Sequence, residues 1–214
     1  MAESSHIARS ELILGGQKSG KSRRAELLAR DWLVQSGEHH AVMLATAQPW
    51  DEEMRQRIVR HQADRAQRVP GMSTVEEPLK LAEAISAHSR ADTLIVVDCL
   101  TLWLTNCLMP VDTSLSTDTA APQSTQPVSQ EFIKNQPLAH MDKGQVALLL
   151  EAINQAKGPL VFVGNEIGLG VIPLGREVRA FVDALGLLNQ SVAAACQRVT
   201  LMAAGLPLTL KDVP

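Results

Sequence analysis

Two rhythms of apolar and polar residues alternate along the chain. Short unbroken apolar runs stand at Glu11-Leu-Ile-Leu14, Ala41 to Ala45, Thr93 to Val97 and Leu160 to Val163. A run of this length with no polar face predicts a buried strand. Between these runs the apolar residues recur every three or four positions, as Ala25, Leu28, Ala29 and Trp32 do in a helix expected over Ser22 to Gln35. Asp51 is the expected cap of a charge-rich helix reaching about Arg68, with Met54 and Ile58 at i and i+4. Leu79 to His88, Val146 to Ala156 and Arg176 to Cys196 carry the same helical spacing, the last with Gly186 as a point of disturbance. Val199 to Ala203 and Leu206 to Leu210 read as two closing strands around Gly205. Strands alternating with helices predict an α/β fold, a parallel sheet with helices on both faces.

One stretch leaves the pattern. Of the 28 residues from Pro110 to Pro137, 16 are Ser, Thr, Pro or Gln. Such a segment buries too little apolar surface to offset its ordering entropy, so a flexible insertion is expected there. The alternation resumes after it without a new start, and 214 residues suit one domain spanning 1–214. Twenty basic against 23 acidic residues give net charge −3, which provides no footprint for nucleic acid. Three cysteines without a C-x-x-C pair fit a reducing compartment. With neither a signal-peptide pattern nor a run long enough to span a membrane, a cytoplasmic location is expected.

The chemistry begins at Gly15-Gly16-Gln17-Lys18-Ser19-Gly20-Lys21-Ser22, which matches G-x-x-x-x-G-K-[ST] between the first strand and the first helix. Glycines let successive N–H groups turn inward around phosphate oxygens at a helix N-terminus. Lys21 supplies a point charge to the β- and γ-phosphates, and the Ser22 hydroxyl is a ligand for Mg²⁺. Asp98, directly after the Thr93 strand, is the expected second metal-side group, against the plainer reading of a helix cap.

Two further features stay open on the residues alone. Arg57, His61 and Arg65 are spaced by four on one helix, so a phosphate could be clamped beside an imidazole nucleophile. A solvated surface histidine has the same appearance. Asn165-Glu166-Ile-Gly168-Leu-Gly170 follows the Leu160 strand, where α/β folds bind ligands. A tight turn would have the same composition.

The motifs also occur in one order. The phosphate loop, Ala45-Thr46-Ala47, Asp51-x-Glu-Met54-x-x-Arg57-Ile58-x-x-His61 and Thr74-Val-Glu76-Glu77-Pro78-Leu79 come first. Val97-Asp98-Cys-Leu-Thr-Leu-Trp-Leu-Thr-Asn106, Asn165-Glu166-x-Gly-x-Gly-x-x-Pro173, Asn189-Gln190 and Ala204-Gly-Leu-Pro-Leu208 follow. This series resembles the bifunctional adenosylcobinamide kinase and adenosylcobinamide-phosphate guanylyltransferase family. The resemblance implies a RecA-like P-loop NTPase sheet with a C-terminal β-hairpin, a homotrimer, and two reactions in succession. A nucleoside triphosphate phosphorylates adenosylcobinamide, then GTP transfers GMP to that phosphate through a guanylyl-histidine, which maps to His61. It also implies that Gly15 to Ser22 and Ala45, Thr46 and Ala47 line the nucleotide site. Gln62, Ala63, Asp64, Arg65, Glu76 and Asp98 would meet guanine nucleotide or metal. Val182, Leu187, Met72 and Gly164 depart from the family pattern. A plain kinase would show no histidine adduct, and a nucleotide-binding regulator would consume no GTP.

Overall fold

The computed structural model describes residues 7–49, 51–109 and 143–213. The expected insertion at 110–137 lies outside them. Among the described residues seven strands form one sheet: β1 (Ser10–Gly15), β2 (His40–Ala45), β3 (Met72–Glu76), β4 (Thr93–Asp98), β5 (Leu160–Val163), β6 (Arg198–Ala203) and β7 (Leu206–Asp212). Their order is β3-β2-β4-β5-β1-β6-β7, all parallel except β7, which runs antiparallel to β6. Among the described residues six helices accompany them: α1 (Lys21–Gln35), α2 (Glu52–Arg68), α3 (Leu81–His88), α4 (Leu100–Leu108), α5 (Lys143–Gln155) and α6 (Arg176–Ala195).

Successive side chains of a strand point to opposite faces, so a strand buried on both faces must be apolar at every position. Leu12, Val42, Leu44, Ile95, Val97 and Phe162 enter one core with Leu81, Trp103, Ile153 and Leu188 from α3 to α6. Their neighbours Ile13, Met43, Leu94, Val96 and Val161 enter a second core against Ala25, Leu28 and Ala29 of α1. Full burial of each large side chain is worth about 1.5–3 kcal/mol. Because the six parallel strands run the same way, Gly15, Ala45, Glu76, Asp98 and Val163 all arrive at one edge.

Three departures have physical causes. β3 carries no strand signal in the sequence, because an edge strand with a mostly solvated surface, Met-Ser-Thr-Val-Glu, has no apolar run. α4 was not anticipated because Leu-Thr-Leu-Trp-Leu-Thr continues the strand-like composition of β4, yet its carbonyls bond as a helix. Gly186 does not disturb α6, whose 20 residues are continuous. In contrast, Asp51 caps α2 as expected, its Oδ1 accepting the Met54 N–H at 2.7 Å. Among the described residues, no helix is long and apolar enough to cross a membrane.

Candidate active site

The loop from Gly15 to Ser22 joins β1 to α1. A Cβ at Gly15 would stand 2.5 Å from the Met202 carbonyl oxygen and 2.7 Å from Ser19 Oγ, so only glycine fits. Gly20, the residue before α1, has φ +101° and Lys18 has φ +56°. These left-handed residues turn the backbone into a concave nest of N–H groups. α1 has no side-chain cap and no acidic residue in its first turn, so its leading N–H groups are left for an anion. Ser19 Oγ is buried with no partner among the described residues. The Ala204–Gly205 turn of the C-terminal hairpin braces this loop from outside. The Gly205 N–H donates to the Ser19 carbonyl at 3.0 Å, and both turn residues have positive φ, as a two-residue hairpin turn requires.

Lys21 is buried, and its Nζ donates to the Gly16 carbonyl at 2.6 Å. Burial holds this ammonium below the usual lysine range, and the charge of Asp98 opposes that shift. Cys99 is a neutral thiol at ordinary pH, pushed up to about 12 by burial and by Asp98. Asp98 is therefore the acidic group whose field acts on Lys21. The Asp98 carboxylate and the Ser22 hydroxyl, both half-buried, have no hydrogen-bond partner among the described residues. Oxygens of this kind, few and uncommitted, suit a cation that keeps waters and phosphates as its remaining ligands. No group of three or more His, Cys, Asp or Glu residues forms a metal cage among the described residues.

The Ala45 to Ala47 segment stands beside Asp98, but Thr46 serves the frame. Its hydroxyl accepts the Cys99 N–H at 2.8 Å and donates to the Cys99 carbonyl at 2.7 Å. Its own N–H donates to the Asp98 carbonyl at 3.1 Å, and its carbonyl accepts Asn106 Nδ2 at 2.8 Å. Asn106 also reaches the Pro78 carbonyl at 3.1 Å. Every polar group of Thr46 thus has a protein partner, and the fully buried residue braces the strand ends that carry Ala45 and Asp98.

The other expected residues lie on α2. His61 is exposed and its ring hydrogen-bonds to nothing among the described residues. Arg57 is exposed too, whereas Arg65, four residues beyond His61, is buried and has no carboxylate partner among the described residues. Gln62 Nε2 donates to Glu76 Oε1 at 3.2 Å, joining α2 to the end of β3. Asp64 pairs with Arg68 at 3.0 Å. Ala63 is not brought to this group. It lies with Glu52, Arg55 and Val59 along a shallow depression on α2, since four consecutive helical residues point in directions spread around most of the helix.

Thr101 and Asn189 stand in the motif series without a role there, and both brace the turn after β5, while Met202, outside the series, closes on the loop at Gly15. Asn189 occupies the apolar stripe Leu185, Leu188, Asn189, Val192 of α6, and a polar residue in such a stripe is a readable signal.

Residues 11–210 match the model of a family described as cobinamide kinase / cobinamide phosphate guanyltransferase. The bifunctional adenosylcobalamin biosynthesis protein CobP of Pseudomonas aeruginosa is 41% identical over 95% of this chain and 98% of its own. Proteins of the corresponding name, CobU, from Escherichia coli and Salmonella typhimurium are each 30% identical over 94% of this chain and 98% of theirs. Among solved structures, the flagellar accessory protein FlaH of Methanocaldococcus jannaschii aligns with a TM-score of 0.47 at 12% identity, covering 97% of this chain and 80% of that one. A phosphate loop, an apolar strand ending in Asp98 and an Asn-Glu-x-Gly-x-Gly turn at one sheet edge accompany these full-length matches, and the chain belongs to the cobinamide kinase / cobinamide phosphate guanyltransferase family.

Proposed function

We propose that the chain performs both reactions of its family at the C-terminal edge of the sheet, with the phosphate loop holding the triphosphate and His61 carrying the guanylyl group. In the first reaction the aminopropanol hydroxyl of adenosylcobinamide attacks the γ-phosphorus of a nucleoside triphosphate. A nucleoside diphosphate leaves and adenosylcobinamide phosphate forms. The loop N–H groups and Lys21 stabilise charge on the β- and γ-phosphates as that bond breaks. Ser22 and Asp98 would hold Mg²⁺, which when bound would neutralise phosphate charge.

In the second reaction a His61 ring nitrogen attacks the α-phosphorus of GTP and pyrophosphate leaves. The phosphate of adenosylcobinamide phosphate then displaces His61, giving adenosylcobinamide-GDP. The imidazole, exposed and without a hydrogen bond among the described residues, supports this role, because a nucleophile tied into hydrogen bonds would first have to break them. Gln62, Asp64, Arg65 and Glu76 would meet the guanine nucleotide, with the buried guanidinium of Arg65, which has no carboxylate partner among the described residues, suited to a phosphate oxygen. Ala63 would enter only through its backbone.

We further propose a cytoplasmic homotrimer. Self-association is supported by the apolar surface left uncovered among the described residues at Leu169, Val171, Ile172 and Leu174 and along Leu206, Leu208 and Leu210 of the open-edged β7, and the trimer and the cytoplasmic location follow from the family resemblance. The full-length family match carries the proposal as a whole. It is tested by supplying adenosylcobinamide, GTP and Mg²⁺ and following both products. Formation of the phosphate and then the GDP conjugate is expected, and a chain that makes neither is not this enzyme.

A further inference from the structure

One carboxylate beside the phosphate loop has no part in the roles above. Glu166 follows β5, the strand lying between β4, which ends in Asp98, and β1, which ends in Gly15. Asp98 is registered against Val163, so Glu166 stands three residues past the neighbour of Asp98. Its main chain is tied to the strand feeding the loop: the Glu166 N–H donates to the Gly15 carbonyl at 3.2 Å, and the Gly164 N–H to the Ile13 carbonyl at 2.9 Å. Asn165 is held on both sides. Its N–H donates to Thr101 Oγ1 at 2.9 Å, and its carbonyl accepts Nδ2 of the buried Asn189 at 3.0 Å.

The side chain is only half committed. Glu166 Oε1 accepts the Gly168 N–H at 3.0 Å. No lysine or arginine pairs with it among the described residues, and Oε2 has no hydrogen-bond partner there. Closing this turn needs one acceptor, which a shorter or neutral side chain would supply. A second, unneutralised oxygen next to a triphosphate site adds repulsion and contributes nothing to the turn.

The chemistry gives that oxygen a use. In the kinase reaction the attacking group is a hydroxyl, whose proton must go to an acceptor as the oxygen–phosphorus bond forms. Asp98 is assigned to the metal and His61 to the guanylyl group. We propose that Glu166 receives the substrate hydroxyl in the kinase step. The hydroxyl oxygen bonds to the γ-phosphorus, the bond to the β–γ bridging oxygen breaks, and the proton passes to Glu166 Oε2 and on to solvent. This inference rests on the two-reaction reading above. It also separates the two reactions, because the acceptor in guanylyl transfer is a phosphate that is already anionic and needs no such base.

The test compares the full-length wild type with Glu166→Gln in the presence of Mg²⁺ and GTP. Glutamine keeps an acceptor for the Gly168 N–H and removes the charge. Phosphorylation of adenosylcobinamide should fall about 100-fold or more in kcat, with KM for the nucleotide equal to or below that of the wild type, since the repelling charge is gone. Guanylyl transfer to adenosylcobinamide phosphate supplied ready-made should stay within about twofold of wild type, as expected for a group outside that step. Glu166→Asp, which keeps the charge one methylene short, should recover part of the phosphorylation. Wild-type phosphorylation by Glu166→Gln overturns the inference, and so does equal loss of both reactions in both variants, which marks a structural residue. A wild type that phosphorylates nothing overturns the two-reaction reading instead.

Discussion

Thr46 shows how a single hydroxyl can hold two strand ends together. Its bonds to Cys99 lie beneath Asp98 in a fully buried setting. Thr46→Val keeps the shape but strands the Cys99 N–H, and should cost about 1–3 kcal/mol in urea unfolding. Thr46→Ser should recover most of it. Equal stability of wild type and Thr46→Val would show that the hydroxyl contributes no net energy. Lys21 acts differently, through charge. Lys21→Met should weaken triphosphate binding by about 10- to 100-fold in calorimetry, the value of a charge-assisted hydrogen bond. The phosphate loop and Asp98 were legible because their spacing and the apolar strand before each are themselves the signal. The roles of Thr46, Asn106 and Asn189 were not, since a buried polar residue declares its function only once its partners are known.

Among the elements, α2 is held at its C-terminal end. Arg68 bonds the buried Glu26 of α1 at 2.7 Å, and this hydrogen bond and charge raise the Arg68 pKa above its usual value despite some burial. Arg68→Ala leaves the Glu26 carboxylate buried without its cation. Because Arg68 is itself nearly half exposed, the cost should be about 1–2 kcal/mol, less than for a fully buried pair. Hydrogen exchange should quicken in the last turns of α2 and not in β4, and uniform quickening would contradict a local clasp. At the far end of the chain, Lys211 Nζ caps α6 by donating to the carbonyls of Ala193, Ala194 and Cys196. Lysine at a helix C-terminus also favours the macrodipole. The hairpin carrying it was legible from Gly205 between two apolar runs. Its bracing of the phosphate loop was not, because the Gly205 to Ser19 bond joins positions with no periodic relation.

For the molecule as a whole, alkaline pH should be destabilising. Burial pushes the Cys99 and Cys196 thiols up to about 12 and Cys107 up to about 11, from 9 in the unfolded chain. A group whose folded pKa is raised binds its proton more tightly in the native state. Its stabilisation is full below pH 9 and is lost as pH rises toward 11 and 12. Lys21, lowered by burial, works the other way up to about 10.5, but it is one group against three. Midpoint temperatures should therefore fall between pH 9 and 10.5, and Cys107→Ser should flatten the fall; a rise would contradict the burial of the thiols. The alternation of strands and helices made the sheet legible at this scale, while the edge strand β3 and helix α4 escaped because their composition lacked a distinct period. The central claim is that one chain joins a phosphate-loop kinase to a histidine that carries GMP. Intact-protein mass after incubation with GTP and Mg²⁺, wild type beside His61→Ala, tests it most directly. The account predicts an acid-labile gain of one GMP on the wild type and none on the variant. An unmodified wild type that still phosphorylates adenosylcobinamide would leave a kinase alone and make His61 an ordinary surface residue.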